Sequence, residues 1–362
     1  MMAKNLTVLT LDAGGTNFDF SALHKGKEIM ESIRFPSYGS DLDQSIATII
    51  KGFRAVQKTI GSEGDAISFA FPGPADYRQG IIGDLNNLTG YRGGVPLKAV
   101  LEAEFKLPVF ILNDASLFAL GEARGGFLPH WNAWFENNGH PHRFDNLIAV
   151  TLGTGFGGGF VVNNQLLLGD NFMGGEVYLQ SMRHDFLRNS EEHLSIRAVK
   201  NVYCEEAGLA QENSPSPIEI SKIARGEASG NIDAAKASFA LMGKHLGDVL
   251  ANLIMVFDAP VVIGGGIAKA HDLYFPAMWE EMNSNLTMYH GPERRVKHSV
   301  YNLLDKADVQ KLDENRGRNF TWNGFEVRNY KEDFISAVGL PHLGTRRGTW
   351  LGAYYHAQDN LS

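Results

Sequence analysis

Residues 6–23 read LTVLTLDAGGTNFDFSAL: an apolar run, an aspartate, two adjacent glycines, then apolar residues at alternate positions. A dinucleotide fold would continue from such a glycine turn into a helix. Here Phe18, Phe20 and Ala22 fall on one face with a period of two, which is the period of a strand. The spacing G-x-G-x-x-G is also missing. The segment therefore reads as strand, glycine turn, strand, with Asp12 at the tip. On this stretch alone, a plain hairpin with an acidic tip stays open as the alternative.

A second copy shifts the balance. Residues 148–168, IAVTLGTGFGGGFVVNNQLLL, repeat the pattern, and Thr151-Leu152-Gly153 aligns with Thr10-Leu11-Asp12 at an offset of 141 residues. Two such units in the two halves of a chain suggest duplicated nucleotide-binding domains facing one another. Glycine lets the backbone approach a polyanion, and the N–H groups of a turn form a nest for phosphate oxygens. An aspartate on such a turn repels phosphate but suits a bridging cation, so Asp12 reads as the holder of Mg²⁺. A third glycine element, APVVIGGGIAKA at 259–270, follows a helix-like stretch at 237–257. Val261–Ile263 reads as a buried strand and Gly264-Gly265-Gly266 as the opening of a helix, a natural place for a nucleotide.

The bulk numbers bound the class. A chain of 362 residues suggests two domains, and 44% apolar, 20% charged residues and 40 glycines describe a globular protein rich in tight turns. A net charge of −8 disfavours a nucleic-acid surface. No apolar run approaches the roughly 20 residues of a membrane span. The N-terminal residues enter a strand pattern without a signal-peptide layout, so the expected setting is cytoplasmic. Cys204, the single cysteine, excludes an internal disulfide and a multi-cysteine metal site.

In order along residues 6–270, and again at GTWLGAYYHA near the C-terminus, the chain resembles the ROK family of bacterial sugar kinases. That family lies within the actin, hexokinase and heat-shock-chaperone ATPase superfamily. LDAGGTN looks like its first phosphate loop, TLGTGFGGG its second and VVIGGGIA its adenosine motif. FAFPGPADYRQGII, LNNLTGYRGGVPL and PVFILNDASLFALGEA match its segments around the sugar and the catalytic aspartate. The resemblance implies ATP and Mg²⁺ as cofactors and a hexose as substrate, phosphorylated on its 6-hydroxyl as in a glucokinase. Asp114 would be the general base, although Asn113 and Asp114 also read as a helix cap. Asn87, Asn113, Glu176 and Glu191 would bind the sugar, with Glu192 a close rival of Glu191 and a dipole-favoured first helical turn as the plainer reading of that pair. Gly14, Gly15, Thr16 and Asn17, with Gly153, Thr154 and Gly155, would hold phosphates. Gly265 and Gly266 would flank the adenosine, and Asp12 would hold Mg²⁺ through water.

The pattern breaks after Glu176. The family places a histidine three residues on and then a cysteine-rich zinc loop; here Leu179 stands in that place and no cysteine lies between Glu176 and Glu191. No structural zinc is expected, and His184 reads either as a replacement sugar contact or as a surface residue. Two segments lack a family counterpart. Residues 125–146 carry Trp131, Trp134 and Phe135 with His130, His140 and His142; a solvated loop is the expectation for His140 and His142, and a dimer contact, lid or carbohydrate platform for the aromatics. Residues 287–344 are charged, with a two-residue hairpin signal at Asn323-Gly324 expected to be a surface hairpin packed on the large domain, an oligomer contact being the alternative. A basic run there, GPERRVKH, is expected to be solvated.

The expected fold is α/β: two RNase H-like, actin-like ATPase domains, each with a mixed sheet whose first strands are antiparallel and later ones parallel, and a nucleotide cleft between them. The expected small domain spans 1–112 with the helix from 345 to 362, and the large one 113–344, with insertions near 125–146 and 287–344. The favoured function is an ATP- and Mg²⁺-dependent hexose kinase. Fructose, N-acetylglucosamine and N-acetylmannosamine kinases are the alternatives, as is a DNA-free sugar sensor with little turnover. A repressor is disfavoured because about six residues precede the first strand, and a chaperone- or actin-type ATPase because the sugar-side segments match. No membrane or nucleic-acid partner is expected. Homodimers are common in the family.

Overall fold

A computed structural model describes residues 5–361. The chain divides into two compact units: one built from the residues up to 127, from 159–175 and from 342 onward, the other from 128–158 and 176–341.

The opening segment folds as its periodicity requires. Thr7–Ala13 and Asn17–His24 pair antiparallel from Thr7↔His24 to Ala13↔Phe18. Ala66–Ala70 then pairs parallel with Thr7–Ala13, and Val109–Leu112 parallel with Ala66–Ala70. Lys27–Glu28 and Ile33–Pro36 both pair with Asn17–His24 and complete the sheet. The later strands, AISFA and VFIL, are nearly all apolar, as strands covered on both faces must be. The helix Leu42–Ile60, capped by the Asp41 side chain and closed by left-handed Gly61, lays Phe53 on the sheet. There Phe53 meets Phe20 edge-on at 5.3 Å.

The second sheet repeats this order. It runs Gln165–Leu166, Phe156–Val162, Leu147–Leu152, Val261–Gly264, Ile335–Gly339, Ser299–Asn302. Gln165–Leu166 and Phe156–Val162 are antiparallel, and the four strands from Leu147–Leu152 onward are parallel. The expected α/β class, with mixed sheets in which an antiparallel pair leads into parallel strands, is what the chain adopts. The helix Ile232–Phe257 is long and apolar enough to cross a membrane, yet most of its apolar window is buried, so it is a core helix.

Three expectations need correction. The boundary expected at residue 112 differs from the compact units, because the helix Asp114–Arg124 packs against the terminal helix Thr345–Asn360. Their backbones touch: a Cβ on Gly121 would collide with the Gly348 carbonyl, and one on Gly352 with the Leu117 carbonyl. Residues 287–344 are more than an insertion, since they supply Ser299–Asn302 and Ile335–Gly339 to the second sheet. Within that stretch Asn323-Gly324 does turn an exposed hairpin, both residues at positive φ, between Arg318–Trp322 and Phe325–Tyr330. His140 and His142 are not on a solvated loop: Phe135, from the helix Phe127–Asn137, packs on His140, His142 and Phe144 at 4.9 to 5.2 Å. Desolvation lowers the His142 pKa to about 4, so the ring is neutral at pH 7.

Candidate functional site

In the first unit, the site grows from the ends of two strands. Asp12 lies near the end of Thr7–Ala13, directly across the hairpin from Asp19. Opposed carboxylates destabilise a strand pair, and here Arg34 relieves the clash by gripping Asp19 bidentately at 2.8 and 2.9 Å. Asp12 keeps its charge problem: burial, then Asp114, then Asp19 push its pKa up to about 6, against a weaker pull from Arg346 and Arg34. The turn beyond it is tied in place. Gly14 N–H donates to the Asn17 carbonyl at 3.0 Å, Ser37 Oγ to the Gly15 carbonyl at 2.7 Å, and Ser37 N–H to the Thr16 carbonyl at 3.0 Å. The exposed Asn87 stands beside Gly15.

Val109–Leu112 delivers Asn113 and Asp114 to the start of the helix Asp114–Arg124. Asn113 caps that helix, its Oδ1 accepting the Ala115 N–H at 2.9 Å; Asp114 Oδ1 accepts the same N–H at 2.9 Å. The capping reading therefore holds, and it fixes Asp114 at the helix entrance. Asp114 is accessible to water, yet the protein packed around it withdraws solvation and raises its carboxyl above the usual range. Its backbone hydrogen bonds oppose that rise without cancelling it. Asp12 and Asp114 are thus brought together, within electrostatic reach and neither neutralised.

In the second unit, the turn after Leu147–Leu152 is closed by Gly153 N–H on the Gly155 carbonyl at 3.0 Å, with Thr154 exposed at its tip. Glu191 accepts the Phe156 N–H at 3.2 Å and stands 3.6 Å from Arg197, whereas Glu192 pairs with Arg197 at 2.6 Å. Glu191 is therefore the glutamate against the glycine turn, and Arg197 stands between it and Glu192. Glu176 heads the short turn Val177–Leu179. Between the two glutamate segments, buried Ser190 donates its hydroxyl to the Val177 carbonyl at 2.7 Å and its N–H to Gln180 at 2.9 Å. Burial, then Glu176 and Glu191, raise the phenol pKa of Tyr178, which places all three side chains in one neighbourhood. Gly265, at φ +92°, lies so close to Leu152 that a Cβ would collide with its backbone, while Gly266 is exposed before the turn Ile267–Ala270.

The hairpin expected to diverge, Ser181–Met182 with Asp185–Asn189, is anchored by charge. Arg183 N–H donates to Asp248 at 2.9 Å, and Arg295, 4% exposed, pairs with Asp248 at 2.5 Å and Glu281 at 2.6 Å. Arg295 belongs to the run expected to be solvated; it is buried because two carboxylates meet it. The His184 side chain is 29% exposed and stands 3.3 Å from Glu281. Among the described residues no three His, Cys, Asp or Glu side chains gather as metal ligands.

Sequence reasoning missed Asp19, Arg34, Ser37, Tyr178, Ser190, Arg197 and Arg346. Asp19 was within reach, since the hairpin register places it opposite Asp12. The others carry no local signal, because their partners lie on other elements.

The ROK family model matches residues 8–307. The chain belongs to the ROK family. A crystal structure of a glucokinase from Parabacteroides distasonis is 40% identical, covers 99% of both chains and superposes with a TM-score of 0.86. The N-acetyl-D-glucosamine kinase of Photobacterium profundum is 28% identical over 83% of this chain and 91% of its own. The glucokinase of Halalkalibacterium halodurans is 30% identical over 72% and 81%. This ROK protein is a sugar kinase with the two-domain actin-like ATPase fold.

Proposed function

We propose that this ROK kinase transfers the γ-phosphoryl group of ATP to the 6-hydroxyl of glucose, with Asp114 as general base. The observation that carries the reading is the pair Asp12 and Asp114: two carboxylates at the ends of strands of one sheet, each raised by desolvation and Asp12 raised further by Asp114. A raised carboxylate is a stronger base than one free in water, and phosphoryl transfer needs positioning more than base strength. The sugar O6–H proton passes to Asp114 as the bond from O6 to the γ-phosphorus forms. The bond from that phosphorus to the β,γ-bridging oxygen breaks and ADP leaves.

Asp12 fits Mg²⁺: its oxygens are hard donors, and the buried negative charge beside Asp114 and Asp19 favours a cation. When bound, the ion supplies charge neutralisation on the phosphates. The turn N–H groups at Gly14–Asn17 and Gly153–Gly155 would hold phosphate oxygens, and Gly265 and Gly266 would border the adenosine. Asn87, Asn113, Glu176 and Glu191 would orient the sugar hydroxyls, with Tyr178 within electrostatic reach of both glutamates. Glucose is favoured by the 40% identity, over 99% of both chains, to a protein named glucokinase. The N-acetylglucosamine kinases among the relatives make the N-acetyl sugar the second candidate.

The test is ADP release with Mg-ATP and, in turn, glucose, fructose, mannose, N-acetylglucosamine, N-acetylmannosamine and no sugar. Glucose is expected to give the highest kcat/KM. A clear preference for an N-acetyl sugar would overturn the substrate assignment. Sugar binding without sugar-stimulated release would overturn the catalytic one.

A further inference from the structure

The first unit holds a cavity of about 540 Å³ away from the acid pair. Its volume falls within the roughly 300–1,000 Å³ of small-molecule sites. Phe110 and Ile111 of the strand Val109–Leu112 and Leu120 of the following helix line one side, the segment 165–172 and the end of the terminal helix another. Phe110 meets His356 edge-on at 5.9 Å, so ring faces and edges make up much of the wall.

The charge there runs against the rest of the molecule. In a chain of net charge −8, three cations, Arg78, Lys98 and Arg124, line this cavity with a single carboxylate, Asp359. Arg124 is accounted for, pairing with Asp359 at 2.7 Å and donating to the Asn164 carbonyl at 2.7 Å. Arg78 donates one nitrogen to the Asp170 carbonyl at 2.9 Å and stacks its guanidinium 5.1 Å from the Phe172 ring. Lys98 stands 5.9 Å from the Phe110 ring and 4.0 Å from Glu102, the outer limit of an ion pair. Contact with an aromatic face holds a cation in place without cancelling its charge. His356 adds no charge at neutral pH, since burial, with a smaller contribution from Lys98 and Arg124, lowers its pKa to about 4. Two positioned cations beside two rings match a dianion carried on a ring.

We propose that this cavity binds a phosphorylated ring compound, its phosphomonoester held by Arg78 and Lys98 and its ring against Phe110 and Phe172. A sugar phosphate and a nucleoside monophosphate share that chemistry. The site does not depend on the kinase assignment, because none of its lining residues takes part in the proposed transfer.

Calorimetric titration of the full chain with glucose 6-phosphate, AMP and inorganic phosphate tests it. The double variant Arg78→Ala/Lys98→Ala and the cavity-filling Gln165→Trp are titrated alongside, after a melting curve shows both are folded. One of the two ring phosphates should bind the wild type, and both variants should bind it about tenfold more weakly or worse. Which ligand shows that loss identifies the source, sugar or nucleoside. A ligand held at the proposed active site instead would bind the variants as tightly as the wild type. Unchanged affinity in both variants for every ligand, absence of binding by either ring phosphate, or inorganic phosphate binding as tightly as the ring compounds would each overturn the proposal.

Discussion

The two strand–turn–strand units hold matching places in their sheets and handle acid in opposite ways. The first carries Asp12 on the strand itself, opposite Asp19 and near Asp114, and burial leaves Asp12 and Asp114 raised. The second has Gly153 at the matching position and takes its carboxylate from Glu191, which the Phe156 N–H and Arg197 already engage. The contrast extends beyond the turns. Glu122, buried in the first unit's helix Asp114–Arg124, has a pKa raised to about 7 by desolvation. Asp248 and Glu281, buried in the second unit, share Arg295. The first unit leaves Asp12, Asp114 and Glu122 raised by burial, whereas the second gives Asp248 and Glu281 a shared arginine. On the proposed reading, a duplicated backbone would serve chemistry in one copy and ligand binding in the other.

Removing the Asp114 charge should therefore cost activity, and removing the Arg295 charge should cost structure. The largest effect is expected from Asp114→Asn, with turnover down by about 10²–10⁴-fold and an unchanged melting curve; a fall below threefold would break the contrast. Arg295→Met should cost about 3–5 kcal/mol in denaturant unfolding, because two buried carboxylates lose their partner. A loss under 1 kcal/mol would show that Asp248 and Glu281 do not depend on Arg295.

Glu122→Gln sharpens the comparison through pH. The folded state keeps the Glu122 proton up to about pH 7, whereas the unfolded chain releases it near the ordinary value of 4.5. The folded state thus binds more protons in that window, so this contribution to stability is complete below 4.5 and is lost as pH rises through 7. Wild-type stability should decline relative to Glu122→Gln across that range, by on the order of 3 kcal/mol, and parallel curves would contradict the assignment. Asp12→Asn should raise the Mg²⁺ concentration for half-maximal rate by about 10–100-fold and leave the sugar KM nearly unchanged. Glu191→Gln keeps an acceptor for Phe156 N–H but loses its charge. The sugar KM should rise about tenfold with little change in the Mg²⁺ requirement. An exchange of these two signatures would invert the comparison.

The sequence made the backbone plan legible because period and glycine placement are local. The alternation at Phe18, Phe20 and Ala22 specified the first hairpin, and the offset to Thr151-Leu152-Gly153 specified its repeat. The apolar strands VFIL and VVIG could be read from their composition. What stayed hidden depends on partners far along the chain. Arg295 looks solvated beside Arg294 and Lys297, and only the fold brings Asp248 and Glu281 to it. His140 and His142 look like loop residues beside Pro141 until Phe135 packs against both. The boundary at 112 failed to anticipate the glycine contact between the helices Asp114–Arg124 and Thr345–Asn360, whose residues are more than 200 positions apart.

The most direct measurement is a calorimetric titration of sugar into wild-type and Asp114→Asn protein, set beside the rate of ADP release by each with Mg-ATP. The account predicts that the variant binds the sugar about as tightly as the wild type and releases almost no ADP. Sustained ADP release by the variant, or loss of sugar binding together with turnover, would contradict the role given to Asp114.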